Sequence, residues 1–167
     1  MKRTCAFVLL SFFGLVVRAD DFDEEFEKKP WSEIETRLPA FPEESGLIPF
    51  EVGSVAGTRY FVDGTSVSIG SDGVVRYTLV IVSSGGARNI SHEGMRCATG
   101  ERRYYAFGRS DKSWSKARGN QWMQIDGTSN NHHVELYSNF FCWSGSISVI
   151  SPEDAVHVLK RGGVIHQ

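Results

Sequence analysis

The chain has 167 residues, 41% of them hydrophobic and 23% charged, with a formal net charge of −2. That length and balance suit one globular domain with a real core. The slight acidity argues against a nucleic-acid binder, whose affinity rests on a concentrated basic surface, and Arg102-Arg103-Tyr104-Tyr105 alone does not supply one.

The first element is a secretory signal over residues 1–19. Lys2 and Arg3 precede an apolar run from Ala6 to Val17, and Val17-Arg18-Ala19 offers small or aliphatic residues where a signal peptidase reads. As a helix the run covers only about 18 Å, against a bilayer core of roughly 30 Å, so a membrane anchor is disfavoured. Cys5 precedes the run and is not placed to carry a lipid. Cleavage after Ala19 removes Lys2, Arg3, Arg18 and no acid, moving the net charge from −2 to −5. The mature chain is expected to have no transmembrane segment.

Cleavage also leaves two cysteines, Cys97 and Cys142, in an oxidising compartment, where an even count favours a disulfide. Closing a loop of about 46 residues stabilises by roughly 4 kcal/mol in the chain-entropy model. The rival reading, a cysteine nucleophile with His92 as base, conflicts with the tendency of an exported thiol to oxidise beside a second one.

Residues 20–29, DDFDEEFEKK, read as an acidic solvated arm. The single domain is expected over residues 30–167. Ser32 and Glu35 have capping-box spacing, which predicts one or two helical turns before Pro39. The apolar residues of Leu38-Pro39-Ala40-Phe41-Pro42 are then expected to lie on a sheet.

Short strands follow at residues 47–52, 59–62 and 66–69, with Asp63-Gly64 and Asp72-Gly73 as turns. Residues 72–108 read as three antiparallel strands cut at Ser83-Ser84-Gly85-Gly86 and Thr99-Gly100. A two-residue loop at Ser84-Gly85 predicts that Arg76 faces Glu93, Tyr77 faces His92 and Leu79 faces Ile90. Opposed charges and opposed apolar groups both favour that register. It makes Arg76 and Glu93 a structural ion pair, and places Val75, Tyr77, Leu79, Ile81, Ile90, Tyr105 and Phe107 on one core face. Val80, Val82 and Met95 fall on the other.

Residues 131–141, NHHVELYSNFF, space Val134, Tyr137 and Phe141 as a helix that covers this second face and ends at Cys142. Residues 109–129 form an excursion anchored by Trp114 and Trp122, and residues 143–150 an edge strand. Ser151-Pro152-Glu153-Asp154 starts a helix, and Lys160-Arg161-Gly162-Gly163 stops it. The fold class is therefore α+β: one antiparallel β-meander sheet, a disulfide-fastened helix and a short C-terminal helix.

The strings WSEIETRLPAFP, Tyr60-Phe61-Val62-Asp63, Asp72-Gly73-Val74-Val75-Arg76-Tyr77, Arg96-Cys97-Ala98, Tyr105-Ala106-Phe107-Gly108 and Phe141-Cys142 resemble the cryptic neisserial protein family. The resemblance implies an exported bacterial envelope protein, periplasmic or associated with the outer membrane, from a family of no established function. More weakly, the order of elements is similar to that of the surface adhesin called protein E.

Chemistry-bearing motifs are few. His132-His133-x-Glu135 gathers metal-ligand types, but adjacent helical histidines diverge by about 100° and share one metal poorly. It reads as a solvated helix start. Asn89-Ile90-Ser91 matches a glycosylation sequon, read as accidental because the resemblance implies a bacterial protein, and Ser144-Gly145-Ser146 lacks a nucleophile elbow. No catalytic residue, metal or cofactor is expected. The favoured function is a noncatalytic binding or structural module with an unnamed protein or envelope partner. The alternative is a small periplasmic hydrolase or metal-dependent enzyme assembled around His92, Glu93 and His133.

Overall fold

The computed structural model describes residues 30–53, 57–127 and 131–163. The expected signal segment, 1–19, and acidic arm, 20–29, lie outside the described residues. Of the two units into which the chain divides, Trp31–Gln167 is the one described here.

Its scaffold is a seven-stranded antiparallel sheet. Strands β1 (Leu47–Phe50), β2 (Arg59–Ile69), β3 (Val74–Val82), β4 (Arg88–Arg96), β5 (Glu101–Gly108) and β6 (Trp114–Lys116) follow one another in space as in sequence, and β7 (Met123–Gln124) also pairs with β5. Such order needs only short connections, as the run of turn residues at each strand end foretold. Helix α1 (Asn131–Glu135) passes directly into a π-helical turn, Leu136–Phe141, then into the small hairpin of β8 (Cys142–Trp143) and β9 (Ser146–Ile147). Helix α2 (Pro152–Lys160) closes the described chain, its cap formed when Asp154 N donates to Ser151 Oγ at 3.1 Å.

The central register is one residue away from the expected one. Ser83 N donates to Ala87 O and Gly86 N to Ser83 O, both at 2.9 Å, so the loop holds three residues, with Gly86 at φ 82°. A three-residue loop of this kind needs its last residue in the left-handed region, which glycine reaches without steric cost. Tyr77 therefore faces Glu93, Leu79 faces Ser91, and Arg76 faces Gly94. Since side chains alternate, the slip turns the whole of β4 over. The expected Arg76–Glu93 ion pair does not form; the two side chains point to opposite faces. Ile90 leaves the expected core face, and Met95 joins it.

Two bulges complete the sheet. Between Asp63 and Ser68 strand β2 carries extra residues, so the Asp63-Gly64 turn expected between two strands is an irregularity inside one. Ser66 Oγ accepts from Thr78 N at 2.8 Å, repairing the ladder where its partner bulges away. On β5, His92 faces Ala106 while Glu93 faces Tyr104, leaving Tyr105 as the extra residue.

The helix face of the sheet is apolar. Val62, Val75, Tyr77, Leu79 and Met95 pack beneath Leu136, Phe140, Phe141, Ala155, Val158 and Leu159. The π-helical turn widens the contact stripe so that Leu136, Phe140 and Phe141 are all buried, where plain helical spacing favoured Val134 and Tyr137. The Cys97–Cys142 disulfide joins the residue after β4 to the residue after the turn, with Cα atoms 5.4 Å apart. The helix covers this face, and not the face of Val80.

The opposite face lies under residues 31–42, which are extended and contain no helix. The Ser32–Glu35 capping box does not form. Glu33, Thr36 and Pro39 are half-buried while the residues between them are exposed, an inward period of three as in a polyproline II ribbon. We call this segment the strap. Of the apolar residues expected on the sheet, Pro39, Phe41 and Pro42 are half-buried while Leu38 and Ala40 are exposed, and polar contacts anchor the segment. Arg76 donates from Nε to Thr36 Oγ1 at 2.9 Å, from Nη2 to Ile34 O at 3.4 Å and from Nη2 to Asp72 Oδ2 at 2.6 Å. Trp31 Nε1 donates to Asp72 O at 2.7 Å and Trp114 Nε1 to Pro39 O at 3.0 Å.

Candidate functional site

Three assemblies of polar side chains stand out, one on the helix face of the sheet and two on the strap face. On the helix face, the turned-over β4 carries Glu93 into the core beside Tyr77, and α1 lowers His133 onto it. Glu93 is 1% exposed and His133 0%. Glu93 Oε2 accepts from His133 Nε2 at 2.6 Å and from Tyr77 Oη at 3.2 Å, while Oε1 accepts from Ser91 Oγ. Burial pushes the Glu93 carboxyl up, but the imidazole of His133 and the Ser91 hydroxyl outweigh it and hold the group below its ordinary value. A carboxylate only accepts, so His133 Nε2 carries the hydrogen. Among the described residues, His133 Nδ1 has no hydrogen-bond partner.

Around this knot burial favours the neutral forms of Tyr77 and His132. Burial, then the Glu93 charge, drives the Tyr77 hydroxyl well above its ordinary value. His132, whose ring lies 4.2 Å from that of His133, is brought down to about 4 by burial and by the neighbouring imidazole. The helix start expected to be solvated is thus interior at His133 and partly so at His132.

On the strap face, His92 accepts or donates at Nδ1 with Thr78 Oγ1, 3.2 Å away, and burial lowers it to about 4. The sheet stands between it and His133, so His92, Glu93 and His133 do not converge on one substrate. Beside it Glu33 is a hub of the strap, accepting from Arg103, Tyr105 Oη and Trp122 Nε1. Asp72 is held below its ordinary value; burial opposes the shift, and the Arg76 guanidinium overrides burial.

The third assembly is open. Where the strap ends, a cleft of about 610 Å³ lies between residues 41–44, the start of β4 and the turn from β5 to β6. Half-buried Phe41, Pro42, Ile90 and Gly108 form its floor, and exposed Glu43, Glu44, Arg88, Arg109 and Lys112 its rim. A Cβ on Gly108 would stand 2.8 Å from Ile90 and 3.0 Å from Phe41, so only glycine lets the strap seat this low. The rim turn is fixed from within: Lys112 N donates to Arg109 O at 3.0 Å, and Asp111 Oδ1 accepts from Ser113 N at 3.0 Å. Arg88 pairs with Glu44, with side chains 38% and 75% exposed. A smaller cleft lined by Arg59, Phe61, Glu44 and Arg88 adjoins it.

None of the four clefts described is lined by Tyr77, His92, Glu93 or His133. Among the described residues there is no group of three or more His, Cys, Asp or Glu side chains able to hold a metal ion, and no helix is long and apolar enough to cross a membrane. Sequence reasoning grouped Glu93 with His133 only in its enzyme alternative, together with His92, and otherwise gave Glu93 to Arg76; it missed the buried pair as such and the cleft altogether. The signal for the first was a glutamate in the interior of a strand whose neighbours, Ser91 and Gly94, do not continue an apolar alternation. The cleft joins residues from three distant parts of the chain and left no local signal.

A family model described as the CNP1-like family matches residues 26–160. No curated protein and no solved structure matches the chain.

Proposed function

This chain belongs to the CNP1-like family, and from that premise we propose that it is a noncatalytic binding module exported to the bacterial cell envelope. The observation that carries the reading is the separation of chemistry from access. The buried cluster of Tyr77, Glu93 and His133, and His92 on the other face, line none of the described clefts, and the cleft at the end of the strap has an apolar floor with charged groups only at its rim. Catalysis requires a reacting atom within hydrogen-bond reach of an acid or base, whereas binding needs only shape, apolar area and a few oriented charges. The Cys97–Cys142 disulfide supports an oxidising destination, as does the basic, then apolar start of the chain.

The test compares two variant sets in envelope extracts, using crosslinking to capture partners. Arg88→Glu with Lys112→Glu alters the cleft, and His133→Gln alters the interior. Loss of the captured partner in the cleft variant only is expected. A hydrolytic activity that disappears with His133→Gln in folded protein would replace the binding module by an enzyme. The export half of the proposal is checked by intact mass, since material from the envelope is expected to lack residues 1–19.

A further inference from the structure

We propose that the cleft at the end of the strap is a docking site for an acidic, aromatic-bearing segment of a partner protein, and that Glu44 occupies the carboxylate position until the partner arrives. The proposal rests on the binding reading above and gives that cleft its ligand class. Three cations, Arg88, Arg109 and Lys112, stand on the rim against two carboxylates, Glu43 and Glu44, and they come from two separate elements, the start of β4 and the β5–β6 turn. Beneath them Phe41 and Ile90 are only half-buried, and Phe41 is steadied by Trp114, its ring centroid 5.3 Å away. A ligand must therefore supply negative charge at the rim and an apolar group on the floor.

Glu44 identifies the charged group as a carboxylate. Its side chain already meets the Arg88 guanidinium, in the arrangement an incoming aspartate or glutamate would take. The contact is weak enough to be exchanged, because both partners are solvent-exposed and pairs of this kind contribute little. Glu44 also sits in a single 3₁₀ turn, Glu44–Gly46, with no side-chain cap to hold it. Removing its charge should strengthen binding by clearing the competitor, an effect opposite in sign to that of removing Arg88.

The probe is a short fluorescein-labelled peptide of alternating glutamate and phenylalanine, followed by anisotropy at low salt with the mature protein. Its glutamine counterpart, inorganic phosphate and anionic phosphatidylglycerol vesicles are run in parallel. The glutamate peptide is expected to bind and the glutamine peptide not to. Arg88→Ala with Arg109→Ala should weaken binding about tenfold through lost charge-assisted contacts. Glu44→Gln should tighten it about twofold to fivefold, the range an exposed ion pair allows. All three residues are exposed, so unchanged melting temperatures serve as the folding control. Equal binding of both peptides, binding of vesicles or phosphate but not of peptide, or no gain from Glu44→Gln would each overturn the proposal. If the peptide fails while partner capture stays cleft-dependent, only the ligand class falls; if capture ignores the cleft variants, the binding reading falls with it.

Discussion

The two faces of one sheet are covered by different physics. Over the helix face, apolar side chains from the π-helical turn and α2 close on Val62, Tyr77, Leu79 and Met95, and one glutamate–histidine pair is buried among them. Over the other face, a strap with no strand ladder is held by guanidinium, carboxylate and indole contacts, while Trp31, Ile34 and Leu38 stay exposed. Apolar burial is cooperative and hard to reverse locally; polar contacts at a half-wet boundary open one at a time. The helix face should thus set global stability, and the strap face should be where the native state loosens first.

The sharpest test removes one half of the buried pair. Glu93→Ala leaves His133 in the core without its carboxylate and should cost about 3–5 kcal/mol, read from chemical denaturation. Replacing both Glu93 and His133 by leucine should recover most of that loss, since an apolar pair fills a buried site without a desolvation penalty. A double variant as unstable as the single one would mean that the pair organises the face and does not merely occupy it. Next, Cys97→Ser with Cys142→Ser should cost about 4 kcal/mol and lower the melting temperature by roughly 10 °C. Alkylation of native protein should find no free thiol at either position.

On the strap face the expected loss is smaller and local. Arg76→Ala removes the contacts to Asp72, Thr36 and Ile34 and should cost about 2 kcal/mol. Hydrogen exchange should rise first at Ile34 N, which donates to Asp72, and proteases should nick residues 31–42 while β3 and β4 stay protected. Uniform exchange across the sheet would erase the contrast between the faces. The mildest perturbation is acid. His92 and His132 are held down to about 4 from an ordinary 6.5, so the unfolded chain binds more protons than the native one between those values. Stability should therefore fall as pH drops from about 6.5 toward 4. His92→Gln should flatten part of that slope, measured as melting temperature against pH. Loss beginning only as pH falls into the carboxylate range would assign acid sensitivity to Glu93 and Asp72, both held below their ordinary values, and not to the histidines.

Element identity was readable where local chemistry decides it. The cap of α2 follows from Ser151 and Pro152, and the meander follows from its glycine-bearing turns. Register was not readable, because a two-residue loop at Ser84-Gly85 and a three-residue loop ending at Gly86 have the same composition, and only the φ of Gly86 distinguishes them. That one residue decides whether Glu93 meets Arg76 or His133. The strap failed for a different reason: Ser32 and Glu35 favour a helical turn locally, but Glu33 and Ile34 find partners on β3, β5 and the Trp122 loop that an isolated segment lacks. The disulfide was reached from the two cysteines left after the expected signal cleavage and from their places at a strand end and a helix end, and it stands at its expected positions.

The strap also sets the order of assembly. Its contacts span long stretches of chain: Trp31 reaches a residue 41 positions away, Arg103 and Tyr105 meet Glu33 across 70 and 72, and Trp122 meets it across 89. Strands β3, β4 and β5 contact neighbours a hairpin apart and can form as soon as each turn closes. Contacts of high sequence separation pay their loop-closure entropy late. Within the described domain, the segment synthesised first is thus the one that docks last, and until Trp122 is in place Trp31 and Glu33 each lack a partner. The vulnerable interval of folding is then set by the arrival of the β7 region, and aggregation during synthesis should depend on the strap's three exposed apolar residues more than on the hydrophobic strands they eventually cover.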